Sequence, residues 1–221
     1  MKNRFYQFTK SQQQAFQLQL GGISLLILCI SAGLLYWIDV HLLPLAAFEF
    51  AILITIIAPF YDTPTLVQQQ KLHYHSPFFI TETEKDGVLK MHGGTLFDYY
   101  FTLPKNSKEQ DHTRLILCEY LKGLLHCIEQ HSPEVILEGT SYIINERTAV
   151  KIGFKKVQTN SLQHFILTFN YFNLMTSLYL AKGKLEFPKL SNTHTFRAPI
   201  KNLKENKATI VGLIARLESD S

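Results

Sequence analysis

LGGISLLILCISAGLLYWI over residues 20–38 and LLPLAAFEFAILITIIAPF over residues 42–60 decide the architecture. The first run has no Asp, Glu, Lys or Arg, and the second has one, Glu49. Nineteen helical residues rise about 28 Å, close to the ~30 Å hydrocarbon core of a bilayer. Only Asp39-Val40-His41 separates the runs, enough for a tight turn. The pair therefore reads as a transmembrane helical hairpin. Tyr36 and Trp37 end the first span and Phe60 and Tyr61 the second, where amphipathic rings favour the interface. A cleaved signal peptide is the competing reading of the first run, but that run exceeds the ~7–15 residue apolar core of such peptides. Pro44 sits where a helix start tolerates a missing N–H, and Pro59 and Pro64 bracket the exit.

The rest of the chain has a different composition. Over all 221 residues, 46% are apolar and only 18% charged, with net charge +4. The charge deficit is concentrated in the two spans. Sixteen Phe and ten Tyr exclude a disordered chain, and three scattered Cys exclude a disulfide scaffold. Lys2, Arg4 and Lys10 precede the first span without an acidic residue, and the loop between spans carries no Lys or Arg. The positive-inside rule then places both termini in the cytoplasm, at the inner membrane if the source is bacterial.

The expected organisation is a basic arm (1–19), the hairpin (20–60), a polar linker (61–70), a cytosolic α+β domain with a small sheet (71–181) and a basic tail (182–221). An α/β arrangement is the alternative fold class for the domain. Lys71–His75, Val88–Met91 and Thr95–Leu103 read as strands, the last two as a hairpin through His92-Gly93-Gly94. Ser107 and Gln110 form a capping box opening an amphipathic helix with Leu117, Leu121, Leu124 and Ile128 on one face. Val135–Leu137 and Ser141–Ile144 read as short strands. Asn145 caps a helical turn that Gly153 closes, and Phe154–Val157 is strand-like. Leu162–Asn170 fits strand or helix, followed by helix to Ala181. A last helix spans 206–217.

Candidate functional residues are few. Glu49 lies roughly 10 Å from the outer end of its span, where a carboxylate costs about 2.5–3.5 kcal/mol. It reads either as an ion or proton site or as a polar pair with Ser24, Ser31 or Tyr36. Lys182, Lys184, Lys189, Arg197, Lys201, Lys204 and Lys207 against Glu186 and Glu205 give residues 182–207 a net +5. That excess suits anionic headgroups, at about 1 kcal/mol per basic residue near the surface, or an ordinary solvated face. Nucleic acid is disfavoured for a chain already at the bilayer. His73, His75 and His92 with Asp98 would make a metal set only if their strands paired suitably. No HExxH, CxxC, GxSxG or P-loop occurs, so no metal and no cofactor is expected.

Glu138–Asn145, then Glu146–Ala149, then Lys151–Phe154 resemble the strand–Asn–helix–Gly-Phe segment of GNAT acyltransferases. The resemblance implies a GNAT-like fold and makes Asn145, Tyr142 and Glu138 the candidate catalytic residues. The chain lacks the family's Gln/Arg-x-x-Gly-x-Gly/Ala turn for acyl-CoA pyrophosphate; that place reads Lys105–Asp111. Three functions follow as expectations. The first is a non-enzymatic anchored domain that binds a protein partner or a second copy of itself. The second is a membrane-bound acyltransferase acting on a lipid or membrane-proximal protein. The third is an oligomeric transport subunit using Glu49.

Overall fold

Two features of the second apolar run set how the halves of the chain meet. Pro59 and Pro64 have no N–H, so each leaves the carbonyl four residues earlier without its helical partner. Those carbonyls belong to Thr55 and Phe60. In the computed structural model, which describes residues 3–104, 109–141 and 145–219, both carbonyls are satisfied from other elements. Gln17 Nε2 donates to the Phe60 carbonyl at 2.9 Å, and Asn173 Nδ2 donates to the Thr55 carbonyl at 2.9 Å.

The N-terminal helices are α1 (Lys10–Ile38), α2 (Pro44–Ile57) and α3 (Pro59–Gln68). Thr9 opens α1 with a reciprocal capping box to Gln12. The segments Lys10–Ile38 and Val40–Gln68 are long and apolar enough to cross a membrane. Of the residues in their most apolar windows, 0% and 6% are buried. Ser31 Oγ donates to the Glu49 carboxylate, so the one charged residue of the two apolar runs is held by the partner helix.

The α+β domain follows. Its strands are β1 (Leu72–Ser76), β2 (Phe79–Glu82), β3 (Val88–Gly93), β4 (Ile136–Ser141), β5 (Lys155–Val157) and β6 (His194–Pro199). They form one six-stranded mixed sheet in the order β1-β2-β3-β4-β6-β5. Only β3 and β4 are parallel; every other neighbouring pair is antiparallel. The helices are α4 (Leu96–Thr102), α5 (Glu109–Gln130), α6 (Glu146–Lys151), α7 (Ser161–Phe169), α8 (Tyr171–Lys182), α9 (Ile200–Glu205) and α10 (Lys207–Ser219). The main core lies between one sheet face and α5, α6, α9 and α10. Phe79, Leu89, Met91, Leu137, Phe196 and Ala198 meet Tyr120, Leu121, Leu124, Ile152, Leu203 and Ile210 there. Gly123 lets α5 approach closely, since a Cβ at that position would lie 2.4 Å from Phe79 Cβ.

Several sequence expectations are corrected. Thr95–Leu103 is not the second arm of a hairpin. Thr95 and Asp98 form a capping box, and the aromatic run behind them is helix α4. Its burial on two sides, against Phe5 and Phe60 and against Phe78 and Leu103, explains a composition that mimics a central strand. Residues read as a polar linker are largely α3. The domain does not end at Ala181, because β6 lies between β4 and β5. Phe196 and Ala198 face the core while Arg197 faces out, so a basic segment supplies an interior strand. The capping box expected of Ser107 with Gln110 rests on side chains outside the described residues, as do Tyr142 to Ile144.

The hairpin and the domain are joined by more than chain connectivity. Arg4 donates to the carbonyls of Phe101 at 2.9 Å, Tyr100 at 2.8 Å and Leu103 at 3.4 Å, capping the C-terminal end of α4. Phe5 is buried among Phe16, Phe97 and Phe101.

The proline account gives a reciprocal prediction. Asn173→Ala leaves the buried Thr55 carbonyl unpaired and should cost about 1–3 kcal/mol. Pro59→Ala restores an N–H to that carbonyl. In thermal unfolding of the detergent-solubilised protein, Asn173→Ala should therefore cost markedly less in a Pro59→Ala background; equal losses in both backgrounds would refute the pairing.

Candidate functional site

The sheet has one covered face and one partly open face, and strand alternation sorts the side chains between them. On β3, Leu89 and Met91 enter the core while Lys90 and His92 point away. Across the register, Lys90 is opposite Glu138 on β4, and Glu138 is opposite Arg197 on β6. Thr140 is opposite Thr195 in the next outward row. The β1–β2 end of this face is covered by α4 and the N-terminal arm. The β4–β6 end is open.

The parallel pairing of β3 with β4 runs from Val88–Ile136 to Lys90–Glu138 and stops. Beyond it β3 continues to Gly93 beside β2, and β4 continues to Ser141 beside β6. The hydrogen-bonded pairing ends there, although Met91 and Gly139 stay in close contact, and a cleft of about 290 Å³ lies over the end of the pairing. Lys90, His92, Glu138, Thr140, Thr195 and Arg197 line it, with Asn160 and Gln163 at the start of α7 on its rim. Asn160 caps α7, its Oδ1 accepting from the Gln163 amide at 2.7 Å.

The charges are arranged in pairs. Arg197 Nε lies 3.6 Å from Glu138 Oε2. His92 Nε2 lies 2.8 Å from Glu82 Oε1, and the hydrogen bond from His92 is the main reason the Glu82 carboxyl is held below its ordinary range. Thr140, Thr195 and Thr159 form a chain of hydroxyls at 2.9 Å spacing along the floor. A carboxylate-oriented imidazole beside a polar cleft is chemically able to accept a proton from a bound nucleophile. Arg197 and Lys90 supply positive charge for an anionic ligand group.

Of the residues singled out from sequence, Glu138 and Arg197 meet in this cleft. Asn145 does not join them; its Oδ1 accepts the Thr148 amide at 2.8 Å as the cap of α6. Tyr142 lies outside the described residues. Lys182 pairs with Glu186 at 2.6 Å, Lys207 with Glu129 at 2.6 Å, and Lys204 donates to the His131 carbonyl at 3.0 Å. Lys184, Lys189 and Lys201 are exposed. The basic residues thus divide among the end of α8, the cleft and the end of α5. His73 and His75 face α5, whereas His92 lies on the other sheet face, so they do not converge with Asp98. Among the described residues, no group of three or more His, Cys, Asp or Glu is placed to hold a metal ion.

Sequence reasoning missed His92 with Glu82, because β2 was not read as a strand. It names Asp98 only beside a histidine set and gives no sign that this acid is buried. Asp98 is fully buried and accepts from Asn3 Nδ2 at 3.1 Å, Tyr74 OH at 2.5 Å, and Thr95 N and Oγ1 at 2.8 Å. Burial pushes its carboxyl up to about 6, and it drives the Tyr74 phenol well above its usual range. The signal was present as Thr95-x-x-Asp98. On the covered face, the His75 ring lies 5.7 Å from that of His126 and 5.8 Å from that of His131. Burial, then the neighbouring His131 and His126, lower His75 to about 4.

No family model matches the chain, and neither a curated protein nor a solved structure matches it.

Asp98 and His75 give opposed pH dependences. Asp98 ionises near 3.8 when unfolded and near 6 when folded, so its contribution to stability falls as pH rises across that window. His75 moves from 6.5 down to about 4, so its contribution rises with pH over nearly the same range. In melting scans from pH 4 to 6.5, Asp98→Asn should tilt the slope upward relative to the parent protein. His75→Gln should tilt it downward.

Proposed function

We propose that this protein is a membrane-anchored, GNAT-like transferase that moves an acyl group to an amine or hydroxyl at the cytoplasmic bilayer surface. The polar cleft over the end of the parallel β3–β4 pairing carries this reading. A three-strand antiparallel meander, helices α4 and α5, a parallel strand, an Asn-capped short helix and two antiparallel strands separated by α7 and α8 are compatible with the order that the resemblance implies. Gly153 has φ +107° and is followed by buried Phe154 at the entry to β5, which supports the Gly-Phe part of it. The uncovered apolar hairpin supports insertion in a bilayer, with both termini cytoplasmic by the charge of the arm.

The chemistry assigned to this chain is a proton transfer. With His92 Nε2–H donated to Glu82, Nδ1 is the ring's acceptor and takes the proton of the attacking amine or hydroxyl. The nucleophile bonds to the thioester carbonyl carbon, the C–S bond breaks, and the thiolate leaves to be protonated. Lys90 and Arg197 sit where an anionic part of either substrate would lie. Glu138, held by Arg197, is a positioning residue in this scheme.

A second reading is an interaction domain with no catalysis, binding a protein partner or a second copy. The missing Gly-rich pyrophosphate turn favours it, since that turn supplies the backbone N–H groups that grip such a donor. The Ser31–Glu49 hydrogen bond supports Glu49 as an internal polar contact of the hairpin rather than the centre of a transport path.

Thermal shift of the full chain in detergent with acetyl-CoA, palmitoyl-CoA and free CoA separates the first two readings. Saturation at 100 times the dissociation constant should add about 2.7 kcal/mol to stability for the thioesters. His92→Ala should keep that shift and abolish thiol release in the presence of an amine acceptor. No shift with any of the three would overturn the transferase and leave the interaction domain.

A further inference from the structure

We propose that α7 and α8 form a re-entrant helical hairpin that enters the membrane from the cytoplasmic side and packs against the second span. The inference rests on the reading of residues 20–60 as membrane-spanning. Three observations carry it and a fourth is compatible with it.

The first is position. Asn173 Nδ2 bonds to the Thr55 carbonyl, and the Phe172 ring lies 6.4 Å from that of Phe48. Thr55 and Phe48 are both within the second apolar run, about 10 Å apart along its helix. The N-terminal end of α8 therefore lies alongside the interior of the span and not at its mouth. The other end of α8 sits in the domain, where Ala181 and Leu180 pack against Phe78, Tyr99 and Ile116. So α8 runs from the domain toward the depth of the apolar layer, and α7 returns from there to the sheet.

The second is composition. Val157 to Ala181 contains no Asp, Glu, Lys or Arg, with Lys156 before it and Lys182 after it. Charge returns only where the chain comes back to the domain.

The third is exposure. Leu162, Phe165, Ile166 and Phe169 fall at helical spacing on one face of α7 and are 66%, 67%, 43% and 57% exposed. Phe48 and Phe50 of α2, the helix that α8 packs against, are likewise exposed.

The fourth is the fate of the polar groups near the tip. Thr168 Oγ1 donates to the His164 carbonyl, Asn170 Nδ2 to the Ile166 carbonyl and Thr176 Oγ1 to the Phe172 carbonyl, at 2.9, 2.9 and 2.8 Å. The Asn170 amide also donates to the Ile166 carbonyl, and its own carbonyl accepts from Leu174. In hydrocarbon every such group must find a partner within the protein. The same closure occurs at Asn206 between α9 and α10, so it is compatible with a bilayer setting and does not by itself require one.

Depth-dependent quenching tests the proposal on the full chain. In a Cys29→Ser background, with Cys118 and Cys127 buried, single cysteines at Phe165, Phe169, Ile27 and Lys85 are labelled with a polarity-sensitive fluorophore. The protein is reconstituted in phosphatidylcholine–phosphatidylglycerol vesicles carrying acyl-chain nitroxides. Phe165→Cys and Phe169→Cys should lose emission as Ile27→Cys does, while Lys85→Cys should not. Quenching at Ile27→Cys without quenching at the two α7 sites would overturn the re-entrant hairpin and leave the spans standing. No quenching at Ile27→Cys would overturn the membrane reading and the hairpin with it.

Discussion

Two missing N–H groups govern how this chain is put together. A proline inside an apolar helix leaves a carbonyl that neither water nor lipid can serve at low cost. Here two such carbonyls lie five residues apart at the end of the second apolar run, and each takes a side-chain amide from elsewhere. Gln17 comes from the preceding helix and Asn173 from more than a hundred residues later. Tyr61 returns the contact by donating to the Gln17 carbonyl at 2.6 Å. The result is a joint with fixed geometry between an apolar hairpin and an α+β domain. Arg4 and Asp98 lock the same joint from the other side, through the two ends of α4.

Much of the architecture could be read from residue order, and the reasons for the remainder are specific. The apolar runs, the α5 stripe and the Asn145 cap are local patterns and appear where expected. Thr95–Leu103 was misread because aromatic density marks burial, and burial on two sides looks alike in a strand and in a short helix. The capping box of Thr95 and Asp98 was the better signal, since it depends on backbone geometry and not on hydrophobicity. The segment His194–Pro199 was hidden for the opposite reason. Its basic neighbours dominated the composition, although Phe196 and Ala198 alternate with Arg197 as an interior strand requires.

The candidate site was less legible than the fold. Glu138 and Arg197 were both singled out, but for unrelated reasons, one from a local resemblance and one from a charge excess. Only the antiparallel register of β4 with β6 makes them neighbours. His92 and Glu82 are brought together by β2 pairing with β3, a contact that no sequence spacing announces. What lines the cleft at the end of a strand pairing depends on where hydrogen bonding switches partners. That is a property of the whole sheet.

The cleft and the apolar face of α7 are consequences of one another. Asn160 and Gln163 stand on the cleft rim, while Leu162, Phe165 and Phe169 point to the side that the proposed re-entrant hairpin gives to lipid. A helix of nine residues thus presents Asn160 and Gln163 to the cleft at its start and a row of exposed apolar side chains on its outer face. If α7 lies in the cytoplasmic leaflet, the cleft opens at the headgroup layer, and its distance from the hydrocarbon is set by the proline joint. A ligand there would need a polar or anionic group for Lys90, Arg197 and the threonine hydroxyls, and an apolar part could remain in the bilayer. An amphiphile held in the membrane meets both requirements without leaving it. If the cleft takes such a ligand, the weld between hairpin and domain would bear on ligand choice as well as on stability, because a domain free to swing on a linker would not hold its cleft at one depth.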